Sequence, residues 1–147
     1  PRATGCGALV EADPATILGV LRALTGGRGV DMAFDHLGGD WLTAGLHALA
    51  PMGQLVSYNL VLGFPPRETL REMRALLGRS LALRTFSMHT YDELPAQRRA
   101  LMEEAIALMA AGRVQAPPTL SLPMDAVREA HERLDRGDVL GKIVLVP

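Results

Sequence analysis

Apolar and polar positions along this chain change period again and again, and each change predicts a new element. Ala8–Ala12 (ALVEA) is a short, mostly apolar run that ends at Asp13-Pro14. It predicts a strand and then a helix start, with Asp13 as N-cap and Pro14 at the first helical position. Ile17, Leu18, Leu21 and Leu24 recur at helical spacing, and Gly26-Gly27 stop that helix. Val30–Phe34 (VDMAF) predicts the next strand. Asp40–Leu49 predicts a helix with Leu42, Leu46 and Leu49 on one face. Pro51-Met52-Gly53 predicts a turn into a strand at Gln54–Tyr58, and Asn59–Pro66 a loop.

The second half repeats the pattern. Arg67–Leu77 is amphipathic, with Leu70, Met73, Leu76 and Leu77 inward and Arg67, Arg71 and Arg74 outward. Leu81–Phe86 predicts a strand. Leu94–Ala111 predicts the longest helix, with Leu101, Ala105, Leu108 and Met109 as its apolar stripe. Thr119–Leu122, a helix from about Asp125 to Leu134, and Lys142–Val146 (KIVLV) close the chain. Strands and helices alternate through short connections, which argues for an α/β fold with a largely parallel sheet. VDMAF and QLVSY lack clean polar alternation, as strands covered on both faces do. Pro117-Pro118 interrupts the rhythm near Val114–Pro118. A boundary there would give residues 1–113 and 114–147, with the last two strands in a different sheet.

Composition narrows the classes. The 147 residues are 48% hydrophobic and 21% charged, enough for a packed core. The net charge is −1 and the basic residues form no stripe, which argues against a nucleic-acid surface. All basic residues are Arg except Lys142. Cys6 is the sole cysteine, so no intrachain disulfide or cysteine-based zinc site is expected. A reducing cytoplasm is the natural setting. No apolar run approaches the ~20 residues of a membrane span, and no signal-peptide pattern opens the chain. Pro1 stands where Met would begin a translation product, which fits a processed, trimmed or partly observed chain.

Open α/β sheets bind ligands at the carboxyl ends of their strands, and three predicted strand ends carry suitable residues. The first has Asp35, His36, Leu37, Gly38 and Gly39; the second Tyr58 and Asn59; the third Phe86, Ser87, Met88 and His89. Each has a plainer reading. Gly38-Gly39 either approaches a ligand or simply turns the chain. Asp35 either serves the site or caps the following helix. His36 is either a proton donor or a solvated loop histidine. His47 and His131 fall on predicted helices, and no histidine pair has metal spacing. Gly5-Cys6-Gly7 leads into a strand, not out of one, so it fails as a dinucleotide fingerprint. Gly26-Gly27-Arg28-Gly29 ends a helix and opens a strand, so it is a poor phosphate loop. No G-x-S-x-G elbow is present.

The run from Leu24 to Asn59, LTGGRGVDMAFDHLGGDWLTAGLHALAPMGQLVSYN, resembles the second half of the coenzyme domain of medium-chain dehydrogenase/reductases. The similarity is greatest to the quinone oxidoreductase (zeta-crystallin-like) branch. It rests on the GVD strand, the D-x-x-GG loop, the L-x-x-L-x-P-x-G helix end and the G-x-L-V strand. The tail adds Ala130-His131, Leu134, Gly137 and Gly141-Lys142-Ile143-Val144-Leu145. The resemblance implies hydride transfer to a quinone or enone from NADPH, with NADH as the alternative, and no metal. It implies that His36, Leu37 and Gly38 lie against the nicotinamide-side ribose. Tyr58 and Asn59 would lie near the nicotinamide, and Phe86, Ser87 and Met88 near its carboxamide. Lys142 matches the lysine of the family's terminal G-K motif. No catalytic acid or base is expected within the chain.

The resemblance also implies a partial Rossmann-type doubly wound sheet that lacks its first two strands and its glycine-rich loop, plus two C-terminal strands from the catalytic-domain side. In a 3-2-1-4-5-6 order, Ala8–Ala12 would be strand 3, and the strands from Val30, Gln54 and Leu81 would be 4, 5 and 6. An unfilled gap would expose long apolar edges. Either another polypeptide segment, such as an N-terminal one completing the sheet, fills that gap or the sheet is rearranged; separately, the resemblance implies a homodimer joined edge to edge through Leu81–Phe86. The rival reading is a non-catalytic remnant that serves as a dimerisation or scaffolding module.

Overall fold

The computed structural model describes residues 7, 8 and 10–147. It forms two compact units, Pro1–Leu94 and Pro95–Pro147.

In the first unit, α1 (Ile17–Leu24), β1 (Val30–Asp35), α2 (Gly39–Ala48), β2 (Leu49–Ser57), α3 (Thr69–Ala75) and β3 (Ala82–Thr85) follow in order. The three strands form one parallel sheet in the order β1-β2-β3. That is the expected neighbourhood of strands 4, 5 and 6. The α1 cap follows from its sequence. Asp13 Oδ1 accepts from the Thr16 amide at 2.8 Å and the Ala15 amide at 3.0 Å, fixing the turn before the helix. At the other end Gly26 has φ +61°, and the Gly27 amide donates back to Arg22 O at 2.7 Å. A residue with a Cβ pays strain in that conformation, so glycine stops the helix there.

Leu42 and Leu46 of α2 pack on Leu49 and Leu55 of β2, all buried. Val30, Ala33, Met73, Leu76, Leu81 and Leu83 pack around them. This core lies on one face of the sheet. On the other, Met32 is 52% and Phe34 68% exposed. The expectation of strands covered on both faces therefore holds on one face only. The apolar run in β1 reads alike for either face, so the sequence pattern alone does not separate the two cases.

Two further expectations change. Ala8, Val10, Glu11 and Ala12 form no strand, and Leu9 lies outside the described residues, as do Gly5 and Cys6. A strand needs a neighbour to accept its ladder bonds, and β1 pairs only with β2 among the described residues. The Pro51-Met52-Gly53 turn sits inside β2 instead of before it. Val30 pairs with Leu49 and Met32 with Gln54, so the register shifts between them. Met52 takes φ +64° to make that bulge. β2 then ends at Ser57, leaving Tyr58 beyond the strand. The helix expected over Arg67–Leu77 is shorter, at Thr69–Ala75, with a 3-10 turn at Leu77–Arg79.

The second unit holds α4 (Pro95–Ala110), β4 (Thr119–Pro123), α5 (Val127–Asp135) and β5 (Lys142–Val146). β4 and β5 form a separate parallel pair, as the break at Pro117-Pro118 suggested. A 3-10 turn at Met124–Ala126 precedes α5, and Ala130 is buried. No residue of α4 is fully buried, and Leu101 and Met109 of its stripe stay 44% and 45% exposed. Gly141 is required by close approach: a Cβ there would collide with the Pro118 carbonyl, and its φ is +99°.

Candidate functional site

Parallel strands place their carboxyl ends side by side, so the loops after β1, β2 and β3 emerge at one edge of the sheet. Asp35 ends β1 and is buried. Its Oδ1 accepts from the Leu37 amide at 3.1 Å, and its Oδ2 from the Gly38 amide at 3.1 Å. The side chain thus holds the loop that follows it, which is closer to the capping reading than to an exposed site acid.

That loop is laced to the next one. The Tyr58 amide donates to Asp35 O at 3.0 Å, Val61 to His36 O at 3.3 Å and Leu62 to Leu37 O at 2.7 Å. The Gly39 amide returns a bond to Gly63 O at 2.9 Å. Gly38 has φ +72°, and a Cβ on it would stand 2.5 Å from Gly63 O and 2.7 Å from Leu60 Cδ2. Both readings of the glycine pair are thereby refined: Gly38 turns the chain and admits a neighbouring loop backbone. The third loop joins through the Phe86 amide, which donates to Ser57 O at 2.9 Å.

His36, Leu37, Gly38, Tyr58, Asn59, Phe86, Ser87 and Met88 accordingly occupy three consecutive loops of one sheet edge. The His36 and Tyr58 rings stack, with centroids 5.9 Å apart at 25°. Tyr58 is 49% exposed, Phe86 38% and Met88 47%, so the edge offers open flat and apolar surface. Asn59 Oδ1 accepts from the Leu60 amide at 2.8 Å, which leaves its amide nitrogen free to donate. Ser87 Oγ accepts from the His89 amide at 3.2 Å and keeps its own proton to give. His89 Nδ1 lies 2.9 Å from Asp92 Oδ2. Lys142 opens β5 of the second unit and is exposed.

The sequence reading passed over Leu60 and Gly63, which the structure makes partners of Gly38. Their signal is weak in sequence, because both act through backbone position. It also missed a tie between α2 and α3. His47 Nε2 stands 2.9 Å from Glu72 Oε2, and Arg67 Nη1 lies 3.6 Å from Glu72 Oε1. The hydrogen bond with His47 draws the Glu72 carboxyl below the ordinary glutamate range. Burial opposes that shift, and the Arg67 charge adds to it.

Residues 10–145 match the family model described as zinc-binding dehydrogenase. Reducing polyketide synthase hmp8 of Hypomyces subiculosus is 32% identical over 138 residues, covering 90% of this chain and 6% of that protein. 2-Haloacrylate reductase of a Burkholderia species is 25% identical over 149 residues, covering 99% of this chain and 44% of that protein. The structure of mycobacterial Rv1454c complexed with NADPH aligns at TM-score 0.84 and 22% identity, covering 99% of this chain and 44% of that one. Quinone oxidoreductase of Pseudomonas syringae pv. Tomato DC3000 aligns at TM-score 0.74 and 18% identity, covering 89% and 40%. These likenesses show a partial Rossmann-type fold. The chain spans under half the length of each of these relatives. Among the described residues no group of three or more His, Cys, Asp or Glu is placed to hold a metal. No helix among the described residues is long and apolar enough to cross a membrane.

Proposed function

The chain belongs to the zinc-binding dehydrogenase family, within the medium-chain dehydrogenase/reductases, and from that premise we propose that it is the nicotinamide-side portion of an NADPH-dependent oxidoreductase acting on a quinone or enone. The observation that carries this reading is the laced edge of loops after β1, β2 and β3, with Tyr58, Asn59 and Phe86–Met88 facing outward. A nicotinamide is a flat ring with one carboxamide. Tyr58, Phe86 and Met88 supply apolar surface for the ring, and Asn59 and Ser87 supply donors for the amide oxygen. His36, Leu37 and Gly38 lie where the attached ribose would rest. The mycobacterial structure named for its NADPH complex supports the cofactor class.

The cofactor, when bound, supplies a hydride. Saturation of an enone, or conversion of a quinone to a hydroquinone, would each take that hydride together with one proton, which water would supply. The work of this chain is orientation. Backbone held by Asp35 and Gly38 keeps three loops in register, and apolar side chains exclude water beside the ring. We also propose a homodimer contact at Leu81–Phe86, around the outer edge strand β3, and a division between coenzyme and catalytic domains at residues 113/114.

Reduced nicotinamide mononucleotide tests the reading, because it carries only the half of the cofactor assigned to this chain. Titrated into the 15N-labelled protein, it is expected to shift the amides of Tyr58, Asn59 and Phe86–Met88. Shifts confined to other residues, or none at millimolar ligand, would overturn the assignment. The second reading, a non-catalytic dimerisation or scaffolding module, draws on the open sheet face at Met32 and Phe34. It gains if the mononucleotide does not bind.

A further inference from the structure

A cavity of about 470 Å³ opens at the end of the first unit opposite the laced loops, where the strands begin. Three arginines from three separate elements line it: Arg22 in the last turn of α1, Arg28 in the turn before β1, and Arg79 in the 3-10 turn before β3. Arg28 is neutralised by Asp31, its Nη1 and Nη2 lying 2.5 and 2.8 Å from the two carboxylate oxygens. Arg79 Nη1 donates to His47 O at 3.1 Å, the carbonyl left over at the end of α2. His47, which also lines the cavity, is paired with Glu72. Neither Arg22 nor Arg79 forms an ion pair among the described residues. Two guanidinium charges therefore face one cavity with no carboxylate to balance them.

A plainer role accounts for part of this. A cation in the last turn of a helix suits the helix dipole, and that covers Arg22 and Arg79 taken singly. It does not account for their convergence on one concavity with Arg28. The cavity is larger than a bare inorganic anion requires and falls within the range of small-molecule sites. Ala48 and Pro51 give it an apolar wall. Planar guanidinium groups recognise phosphate oxygens by paired hydrogen bonds.

We propose that the Arg22–Arg28–Arg79 cavity binds a phosphomonoester, with the phosphate between Arg22 and Arg79 and a small organic group against Ala48 and Pro51. The site lies at the amino ends of the strands, away from the carboxyl ends assigned to the nicotinamide. Its fate is thus independent of the oxidoreductase reading.

Inorganic phosphate is the first probe, titrated into the 15N-labelled chain near pH 7.5 at constant ionic strength, with chloride as the exchanged anion. The expected result is saturable shifts of the Gly27, Arg28, Gly29 and Ala48 amides. Arg22→Gln is expected to weaken phosphate binding about tenfold, and Arg113→Gln, at an exposed position outside the cavity, to leave it unchanged. If Arg22→Gln is poorly folded, Arg79→Gln, the other arginine without an ion pair at the cavity, is read in its place with the same expectation. Shifts that chloride reproduces, that map elsewhere, or that both variants reduce alike would overturn the proposal.

Discussion

Replacing Gly38 by alanine should damage this protein out of proportion to one methyl group. The backbone there has φ +72° and ψ −146°, a region essentially reserved for glycine. Forcing a side chain into such a conformation costs about 1–3 kcal/mol. The methyl also has no room, since it would stand 2.5 Å from Gly63 O and 2.7 Å from Leu60 Cδ2. That carbonyl already accepts the Gly39 amide at 2.9 Å, so moving it aside breaks or stretches the lacing between the loops. A lost hydrogen bond of this kind adds about 1 kcal/mol, for a total of roughly 2–4 kcal/mol. Trp41, the sole tryptophan, donates its amide to Gly38 O at 3.0 Å and so reports on this region by fluorescence. In urea the midpoint should fall by about 1 M or more with little change in slope. Gly63→Ala is the matched control. It shares a positive φ, +83°, but its methyl would meet nothing within 4 Å. It should cost only about 1–2 kcal/mol for the backbone conformation. If Gly38→Ala is no worse than Gly63→Ala, the steric half of the argument is wrong.

Acid should weaken the tie between α2 and α3. Glu72 is held below its ordinary value of 4.5, first by the hydrogen bond with His47, so its contribution is complete above that value and is lost as pH falls through the lower folded value. Glu72→Gln should remove that part of the acid sensitivity, visible as a shallower fall of the urea midpoint as pH drops below 4.5; an unchanged fall would assign it to other carboxylates. In the core, Leu55→Ala empties a fully buried position among Leu42, Leu46 and Leu49. It should cost about 2–5 kcal/mol, against under about 1 kcal/mol for Leu101→Ala on the exposed side of α4; equal losses would show that the four leucines are not the core.

How far the sequence carried can be judged element by element. Val30–Asp35, Gly39–Ala48 and Lys142–Val146 appear within a residue or so of their expected bounds. Each joins a strong period to a strong punctuation mark, and local chemistry was enough. Ala8–Ala12 failed for the opposite reason. Its apolar run was real, but a strand exists only by pairing, and among the described residues β1 ladders only with β2. The bulge at Met52 was half legible: Pro51 and Gly53 announced a turn, but a turn before a strand and a bulge within one share that signature. At the site, the strand-end residues were readable because the fold class tells where ligands go. The roles of Leu60 and Gly63 were not, because they depend on which carbonyl the second loop brings to Gly38. The convergence of Arg22, Arg28 and Arg79 was hidden for the same reason, its first and last members standing 57 positions apart in the chain.

The bulge in β2 has a mechanical consequence. Above it, Gln54, Leu55, Val56 and Ser57 stay in unbroken register with both neighbouring strands, while below it the pairing resumes only at Leu49. The extra residues act as slack. A one-residue insertion or deletion near Pro51 can be taken up there as a larger or smaller loop. The step need not travel up the strand, where a slip of one position would turn every side chain to the opposite face. The end of the sheet that carries the laced loops is thereby insulated from length changes at the end that carries the arginines, and the two ends are free to vary separately over evolutionary time.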